Sequence, residues 1–187
     1  MLYWASDNVS KVPPEKKRKT VRRSERKAVK QEEKTNVMRL LDQKKIEYTA
    51  HNYLQSGAIS GTEVAAALGE PPEKVFKTLV TVGKSGAHYV FLIPVEKELD
   101  LKRAASAVGE KSIEMIKSKD LLPLTGYIHG GCSPLGMKKA FPTVIDESVA
   151  TLDRFFFSAG KIGFQVEMSP ATLATLLPYR TAALTVR

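Results

Sequence analysis

The chain has 187 residues, of which 43% are hydrophobic and 26% are charged, a balance typical of one soluble domain with a hydrophobic core. Its single cysteine excludes an internal disulfide and a zinc site built from several cysteines, which favours a reducing, cytoplasmic location. No apolar run approaches the roughly 20 residues that cross a bilayer, and no secretory signal or membrane association is predicted.

The net charge of +9 is unevenly distributed along the chain. Residues 1–34 contain 11 of the 29 Lys and Arg residues but only 5 of the 20 Asp and Glu residues. Because the stretch 16–30 has almost no apolar side chain to bury, we predict that 1–34 is a basic, disordered extension and that the folded domain spans 35–187. The extension is either simply solvated or binds nucleic-acid phosphates, and the sequence leaves both interpretations open.

The first half of the predicted domain mixes helices and strands. A stripe of apolar residues at i, i+3 and i+4, preceded by Thr35 as a cap, predicts a helix over 35–46. The pair Ser60 and Glu63 is typical of a capping box and predicts a short helix over 60–69. Strands are predicted over 47–54, 75–82 and 87–95, the last two joined by a hairpin-like turn.

The second half has a similar mixture. Asp100 is a predicted cap for a helix over 101–108, and Ser169 with Pro170 predicts the start of a helix over 169–177. Strands are predicted over 113–116, 127–129, 143–146, 154–160 and 163–168. Because helices and strands do not alternate strictly, we predict a compact α+β domain. Its central mixed sheet should have about six to seven strands flanked by short helices.

A lysine lies inside the apolar strand predicted over 75–82. Alternation puts Lys77 on the same face as Leu79 and opposite Phe76. Its amine either reaches water at the end of the strand or points into a cleft. In a cleft it would bind a phosphate, a carboxylate or a developing oxyanion. The residues around Lys77 do not decide between these two interpretations.

Two glycine-rich segments follow predicted strands: TGYIHGGCSPLG at 125–136 and SAGKIG at 158–163. Glycines at such places permit positive φ angles and allow backbone N–H groups to approach a ligand closely. Neither segment matches a dinucleotide-binding fingerprint or a P-loop. They are either two tight turns or two sides of one pocket.

Cys132, in the first of these segments, is the only cysteine of the chain and therefore a candidate nucleophile. A lone cysteine is more often a small buried apolar residue, so we favour a packing role. The histidines at 51, 88 and 129 have none of the spacings typical of a metal site. We therefore predict no metal and no cofactor.

Three motifs carry a family resemblance: VFKTLV around Lys77, then TGYIHGGCSPLG, then FFFSAGKIGFQVEMSP. In order and spacing they resemble the YbaK-type aminoacyl-tRNA deacylases, which are relatives of the editing domain inserted in bacterial prolyl-tRNA synthetase. The resemblance covers essentially 35–187 and implies the compact α+β fold of that family. It also implies the aminoacylated 3′ end of a tRNA as substrate and prolyl-tRNA synthetase as a candidate partner.

The activity that the resemblance implies is removal of cysteine from mischarged Cys-tRNA(Pro), and also from Cys-tRNA(Cys). In that family branch the substrate's own thiol attacks its ester carbonyl, a lyase-type cleavage that releases a cysteine thiolactone. The enzyme then has to hold the cyclising conformation and stabilise the oxyanion. Two alternatives stay open: a deacylase of Ala-tRNA(Pro) or another small aminoacyl-tRNA by water attack, and a non-catalytic module that binds tRNA or a synthetase.

The resemblance also implies which residues form the site. The catalytic residues would be Lys77, Gly130, Gly131 and Ser133, and the substrate-binding residues would be Tyr53, Thr78, Ser158, Gly160 and Gln165. Two departures from the family pattern stand out. Ile59 and Ser60 replace an aromatic residue of many relatives, and Gln165 lies where some relatives carry an aspartate. One wall of the pocket should therefore differ, and a carboxylate role at 165 is lost.

Overall fold

A computed structural model describes residues 34–186, so the predicted disorder of the basic extension falls, apart from Lys34, outside the described residues. The described part contains five α-helices and eight strands. In chain order they are α1 (Asn36–Gln43), β1 (Thr49–Asn52), α2 (Gly61–Leu68), β2 (Phe76–Gly83), β3 (His88–Pro94), α3 (Leu101–Val108), β4 (Ile113–Met115), α4 (Ser118–Thr125), β5 (Thr143–Asp146), β6 (Phe155–Ser158), β7 (Phe164–Met168), α5 (Pro170–Leu176) and β8 (Tyr179–Ala182). Short 3₁₀ helices cover Leu54–Ser56, Pro72–Lys74 and Glu147–Thr151.

The strands form a five-stranded sheet in the order β4-β2-β3-β5-β8 and a three-stranded sheet in the order β1-β7-β6. Pairing is antiparallel except between β3 and β5 and between β5 and β8, so the larger sheet is mixed. A parallel bridge between Val75 and Phe156 links the two sheets. The predicted α+β class with a mixed sheet is confirmed, although the described strands number eight and are divided between two sheets.

The predicted caps set the helix ends. Thr35 Oγ1 accepts a hydrogen bond from the Met38 N–H at 3.2 Å at the start of α1. The capping box of α2 is complete, because Ser60 and Glu63 each bond the backbone of the other. Gly69 then ends α2 at φ 70°, in the left-handed region that glycine adopts without strain. These local signals explain why α1 and α2 begin within one residue of the predicted positions.

Two elements differ from the predictions for local reasons. Helix α4 was not predicted because Pro123 lies inside it. The proline removes one N–H, but residue 119, whose C=O loses that partner, is exposed to water. The strand predicted over 127–129 is wrong: Gly126 at φ 84° ends α4, and the chain continues as a turn in which Gly131 N–H donates to Ile128 C=O. Strand β8 was also not predicted, because its sequence YRTA does not alternate between apolar and polar residues. Its buried and exposed positions do not alternate either.

The principal core lies where the two sheets meet. Phe155 of β6 is fully buried, and its ring contacts Phe76 of β2 edge to face at 5.3 Å between centroids. Phe157 packs on Phe155 at the same centroid distance. A second cluster forms on the other face of the larger sheet, where Phe91 packs near Ala104 of α3. No helix in residues 34–186 has the length and apolar character needed to span a membrane.

Candidate functional site

A cavity of about 500 Å³ lies beside β2, and we call it the β2 cavity. Its wall includes residues from β2, the β4–α4 segment, the start of α2 and both glycine-rich segments. Of the nine predicted site residues, six line it: Tyr53, Lys77, Thr78, Gly130, Ser158 and Gln165. The structure therefore gathers residues that are far apart in the chain around one space of small-molecule size.

One edge of β2 is unpaired over a short stretch beside this cavity. β3 pairs along one whole edge of β2, but on the other edge β4 pairs only with Thr81–Gly83. The smaller sheet reaches this edge only through the bridge between Val75 and Phe156. Between these two contacts, no strand of the described chain is hydrogen-bonded to this edge of β2, and the β2 cavity lies beside the gap.

The backbone of Thr78 faces this gap. In an antiparallel pair, the N–H and C=O groups of successive residues point to opposite edges of the strand. Val75 C=O accepts from Val95 N–H at 2.8 Å on the β3 side. Val80 C=O accepts from Ile116 N–H at 3.2 Å on the other side. Thr78 lies two residues before Val80, so its N–H and C=O point to the same edge of β2 as those of Val80, which is the edge beside the β2 cavity.

Lys77 is half-buried on the wall of the β2 cavity. Its Nζ donates to Val95 C=O at 3.2 Å, and this contact holds the amine near the cavity. Burial lowers the pKa of the Lys77 amine, while the negative charge of Glu98 partly opposes that shift. Lys77 thus lines a cleft, and the binding of a phosphate, a carboxylate or an oxyanion by its amine stays a prediction.

Two polar atoms of the cavity wall have no hydrogen-bond partner in the described chain. They are the hydroxyl oxygen of Thr78 and the amide oxygen of Gln165. Gln165 is only 7% exposed, so water outside the protein does not solvate it. Because buried polar groups are almost always paired in folded proteins, these two atoms are the places on the cavity wall where a polar group of a ligand could bond.

The first glycine-rich segment contributes His129, Gly130 and Cys132 to the cavity wall, whereas Gly131 and Ser133 lie in the layer behind it. Gly130 lines the cavity and is exposed, with φ 80°. Gly131 is buried, and its N–H is already donated to Ile128 C=O at 3.0 Å. Ser133 is also fully buried, and its Oγ accepts from Leu135 N–H at 3.4 Å. Of the two adjacent glycines, Gly130 is thus the one placed to meet a ligand.

The second glycine-rich segment is arranged in the same way. Ser158 lines the cavity, and its Oγ accepts from Gly160 N–H at 3.2 Å. Gly160 does not line the cavity, and a Cβ there would come within 2.8 Å of the Tyr127 ring and 3.0 Å of Val37. Gly160, at φ 85°, therefore allows the close packing that places Ser158 on the wall.

Cys132 lines the β2 cavity but is largely buried. Burial raises the pKa of its thiol to about 12, and a hydrogen bond with Thr125 opposes the shift only in part. A thiol with such a pKa is almost entirely protonated at neutral pH and is a poor nucleophile. The geometry agrees with the packing role predicted for Cys132.

Replacing Cys132 by alanine should leave any ester-cleaving activity of the cavity within about threefold of wild type, because the protonated thiol takes no part in chemistry. The measurement is the initial rate of aminoacyl-tRNA deacylation by the folded variant. Treatment of the wild-type protein with a thiol-alkylating reagent should likewise be slow. A variant that keeps its wild-type melting temperature and loses all activity would make Cys132 the nucleophile.

The histidines do not form a common site. His129 lines the β2 cavity, His51 Nε2 lies 2.9 Å from Glu167 Oε2, and His88 packs on Phe141. Within residues 34–186, no group of three His, Cys, Asp or Glu side chains is placed to hold a metal ion. The absence of a metal and a cofactor stays a prediction from the sequence.

The sequence profile of the aminoacyl-tRNA editing domain matches residues 57–176, which is more than half of the chain. The chain belongs to the aminoacyl-tRNA editing family. The matched range includes most of the β2 cavity wall and both glycine-rich segments. The predicted family membership is therefore confirmed.

Relatives of this editing domain include a free-standing protein and synthetases. EbsC of Enterococcus faecalis, a candidate Cys-tRNA(Pro)/Cys-tRNA(Cys) deacylase, is 43% identical over 159 residues, which is 84% of this chain and 97% of EbsC. The proline–tRNA ligase of Trichlorobacter lovleyi is 30% identical over 99 residues, covering 53% of this chain but 17% of the ligase. A solved structure of a candidate trans-editing enzyme for prolyl-tRNA synthetase superposes with a TM-score of 0.68 at 26% identity, covering 75% of this chain and 87% of that one.

One wall of the editing domain's cavity could not be predicted from the sequence. Met115, Ile116, Ser118 and Leu121 line it from the β4–α4 segment. Because α4 was not predicted, no pattern placed these residues beside β2. Ile59 also lines the cavity, although its side chain is 91% exposed. The departure at 59 from the aromatic residue of many relatives is therefore located on the cavity wall.

Proposed function

We propose that this editing domain deacylates Cys-tRNA(Pro), and Cys-tRNA(Cys) as well, by letting the substrate's own thiol cleave the ester. The relative that matches over 97% of its length, EbsC, supports this substrate class. The observation that carries the mechanism is the state of Cys132. It is the only thiol in the chain, and burial keeps it protonated. If a thiol attacks the ester, it is therefore the substrate's own.

The proposed step balances within the substrate. The cysteine Sγ attacks its own ester carbonyl carbon, an S–C bond forms, and the C–O bond to the terminal ribose breaks. The thiol proton passes to the ribose oxygen, so the products are cysteine thiolactone and tRNA with a free 3′ end. The enzyme contributes by holding the cyclising conformation and by stabilising the negative carbonyl oxygen in the transition state.

We assign the stabilising role to Lys77 and the N–H of Gly130. Lys77 supplies a positive charge on the cavity wall, and Gly130 is the glycine of its segment that lines the cavity. We propose that three residues in the layer behind the cavity wall position the wall residues through packing and hydrogen bonds: Gly131, Ser133 and Gly160. Tyr53, Thr78, Ser158 and Gln165 are proposed to bind the aminoacylated end of the tRNA.

We also propose that residues 35–187 hold this activity and that prolyl-tRNA synthetase is a partner. In the proline–tRNA ligases that match, the similar segment belongs to the synthetase itself. A segment within a ligase lies on the protein that charges the tRNA, and docking of a separate editing chain on the synthetase would give it the same access. A tRNA substrate also supports the predicted cytoplasmic location.

A panel of Cys-, Ala- and Ser-tRNA tests the proposed reaction. We expect the folded protein to deacylate Cys-tRNA(Pro) at least 100-fold faster than the other two, because neither alanine nor serine has a thiol that can cyclise. Mass spectrometry should detect cysteine thiolactone, or its hydrolysis product, only with the cysteine substrate. Similar rates on Ala-tRNA(Pro) would establish water attack instead. Salt-dependent binding without turnover of any substrate would establish a non-catalytic module.

A further inference from the structure

Two unpaired polar atoms in the β2 cavity are left without a role by the cyclisation chemistry. The amide oxygen of Gln165 and the hydroxyl oxygen of Thr78 are buried and unpaired, and the backbone C=O of Thr78 faces the gap beside β2. A buried hydrogen-bonding group without a partner destabilises the folded protein. Two such groups on the wall of one cavity indicate that a ligand supplies the missing partner.

The chemistry of these atoms defines the ligand group. The amide oxygen of Gln165 only accepts hydrogen bonds, and the hydroxyl oxygen of Thr78 can accept one, so a single ligand group with more than one hydrogen can bond both. None of the residues that line the cavity is acidic, and Lys77 adds a positive charge. A fixed cation is therefore disfavoured as the ligand group, whereas a neutral amine fits. An α-amino group has a pKa of about 7.7–8.0, so roughly a tenth of it is neutral at pH 7 and about half at pH 8, and this neutral form is available to bind.

We propose that Thr78 and Gln165 form a subsite that recognises the free α-amino group of the substrate's amino acid, an inference that rests on the proposed function. The amino acid is the terminal part of an aminoacyl-tRNA and should enter the most enclosed part of the cavity. Gln165 and Ser158 are buried there, whereas Lys77 is only half-buried. An N-acylated aminoacyl-tRNA, such as a peptidyl-tRNA, lacks the free amine and is rejected.

The test compares Cys-tRNA(Pro) with N-acetyl-Cys-tRNA(Pro), which keeps the thiol and the ester but blocks the amine. Wild-type protein should cleave the free amine form at least tenfold faster, because acetylation leaves the buried oxygen atoms unpaired and adds bulk. Thr78→Val and Gln165→Met keep the size of each side chain and remove its unpaired oxygen. Each should lower the rate on Cys-tRNA(Pro) about tenfold, slow the N-acetyl substrate less, and so bring the ratio of the two rates close to one.

Stability separates this role from a structural one. Because each variant removes an unpaired buried polar atom, its melting temperature should stay the same or rise by a few degrees while activity falls. Thr78→Val provides an independent test if Gln165→Met fails to fold. Equal wild-type rates on the two substrates, or equal slowing of both by the variants, would overturn the subsite. No cleavage of Cys-tRNA(Pro) by wild-type protein would instead overturn the proposed function.

Discussion

Replacing Lys77 by alanine should lower kcat/KM for Cys-tRNA(Pro) by about 10²–10³, the loss that follows removal of one donor to an oxyanion. The amine lies on the cavity wall within 3.2 Å of Val95 C=O, so its charge is held where the ester would bind. Burial disfavours the ammonium, so its removal should not destabilise the protein. Single-turnover deacylation, combined with thermal melting, measures both effects.

A matched control is Lys74→Ala. Lys74 does not line the cavity and pairs with Glu70 at 3.8 Å, so its loss changes net charge equally but should alter the rate less than twofold. A wild-type rate for Lys77→Ala would show that this amine only reaches water beside the strand. Stabilisation of the carbonyl oxygen would then come from the backbone alone.

The same lysine predicts a pH dependence. Burial lowers the pKa of Lys77 from its usual 10.5, with Glu98 partly opposing, so the ammonium loses its proton at lower pH than an exposed lysine does. Activity that depends on this charge should therefore fall as pH rises through the lowered pKa, after correction for spontaneous ester hydrolysis. Lys77→Arg should remove this alkaline decline, because a guanidinium stays charged throughout. An identical decline in the arginine variant would assign it to another group.

Replacing Phe155 by alanine should lower the free energy of unfolding by about 3–5 kcal/mol, the range for removal of a buried aromatic ring. Phe155 is 0% exposed and contacts Phe76 and Phe157, so the ring holds β6 of the smaller sheet against β2 of the larger one. Urea denaturation followed by circular dichroism should show a lower midpoint with an unchanged slope. Phe155→Leu should lower the free energy of unfolding clearly less than Phe155→Ala does.

Leu122→Ala is the control for this loss of apolar contact. Leu122 is 50% exposed on α4, and alanine favours a helix at least as well as leucine, so the unfolding free energy should change by less than about 0.5 kcal/mol. Equal midpoints for Phe155→Ala and Leu122→Ala would mean that the two sheets are held together by contacts other than this aromatic cluster.

Most of the fold could be predicted because its signals are local. Thr35, Ser60, Asp100 and Ser169 each cap a helix through a side-chain bond within three residues, and such bonds are visible in the sequence. The division into two sheets could not be predicted, because it depends on which strands pair across long stretches of chain. Helix α4 was missed because a proline inside a helix is a strong but not absolute signal against it.

The candidate site was predictable only in part. Resemblance identified Lys77 and Gly130, which line the cavity, but it did not separate Gly130 from Gly131, whose N–H is bonded to Ile128. That distinction depends on the turn in which Gly131 N–H bonds Ile128 C=O, and the sequence does not show which glycine forms that bond. The unpaired oxygen atoms of Thr78 and Gln165 could not be predicted from the sequence either, because an unsatisfied group can be recognised only when every possible partner has a known position.

The short gap along the edge of β2 also bears on aggregation. An unpaired strand edge is a template for another chain to add a strand, and long open edges promote aggregation. Here the Val75–Phe156 bridge limits the gap on one side and the bond from Ile116 to Val80 limits it on the other. At about 3.3 Å per residue the gap spans roughly 13 Å, shorter than a typical strand of five to six residues. The edge thus admits the end of a ligand while offering an incoming β-strand too few positions to pair.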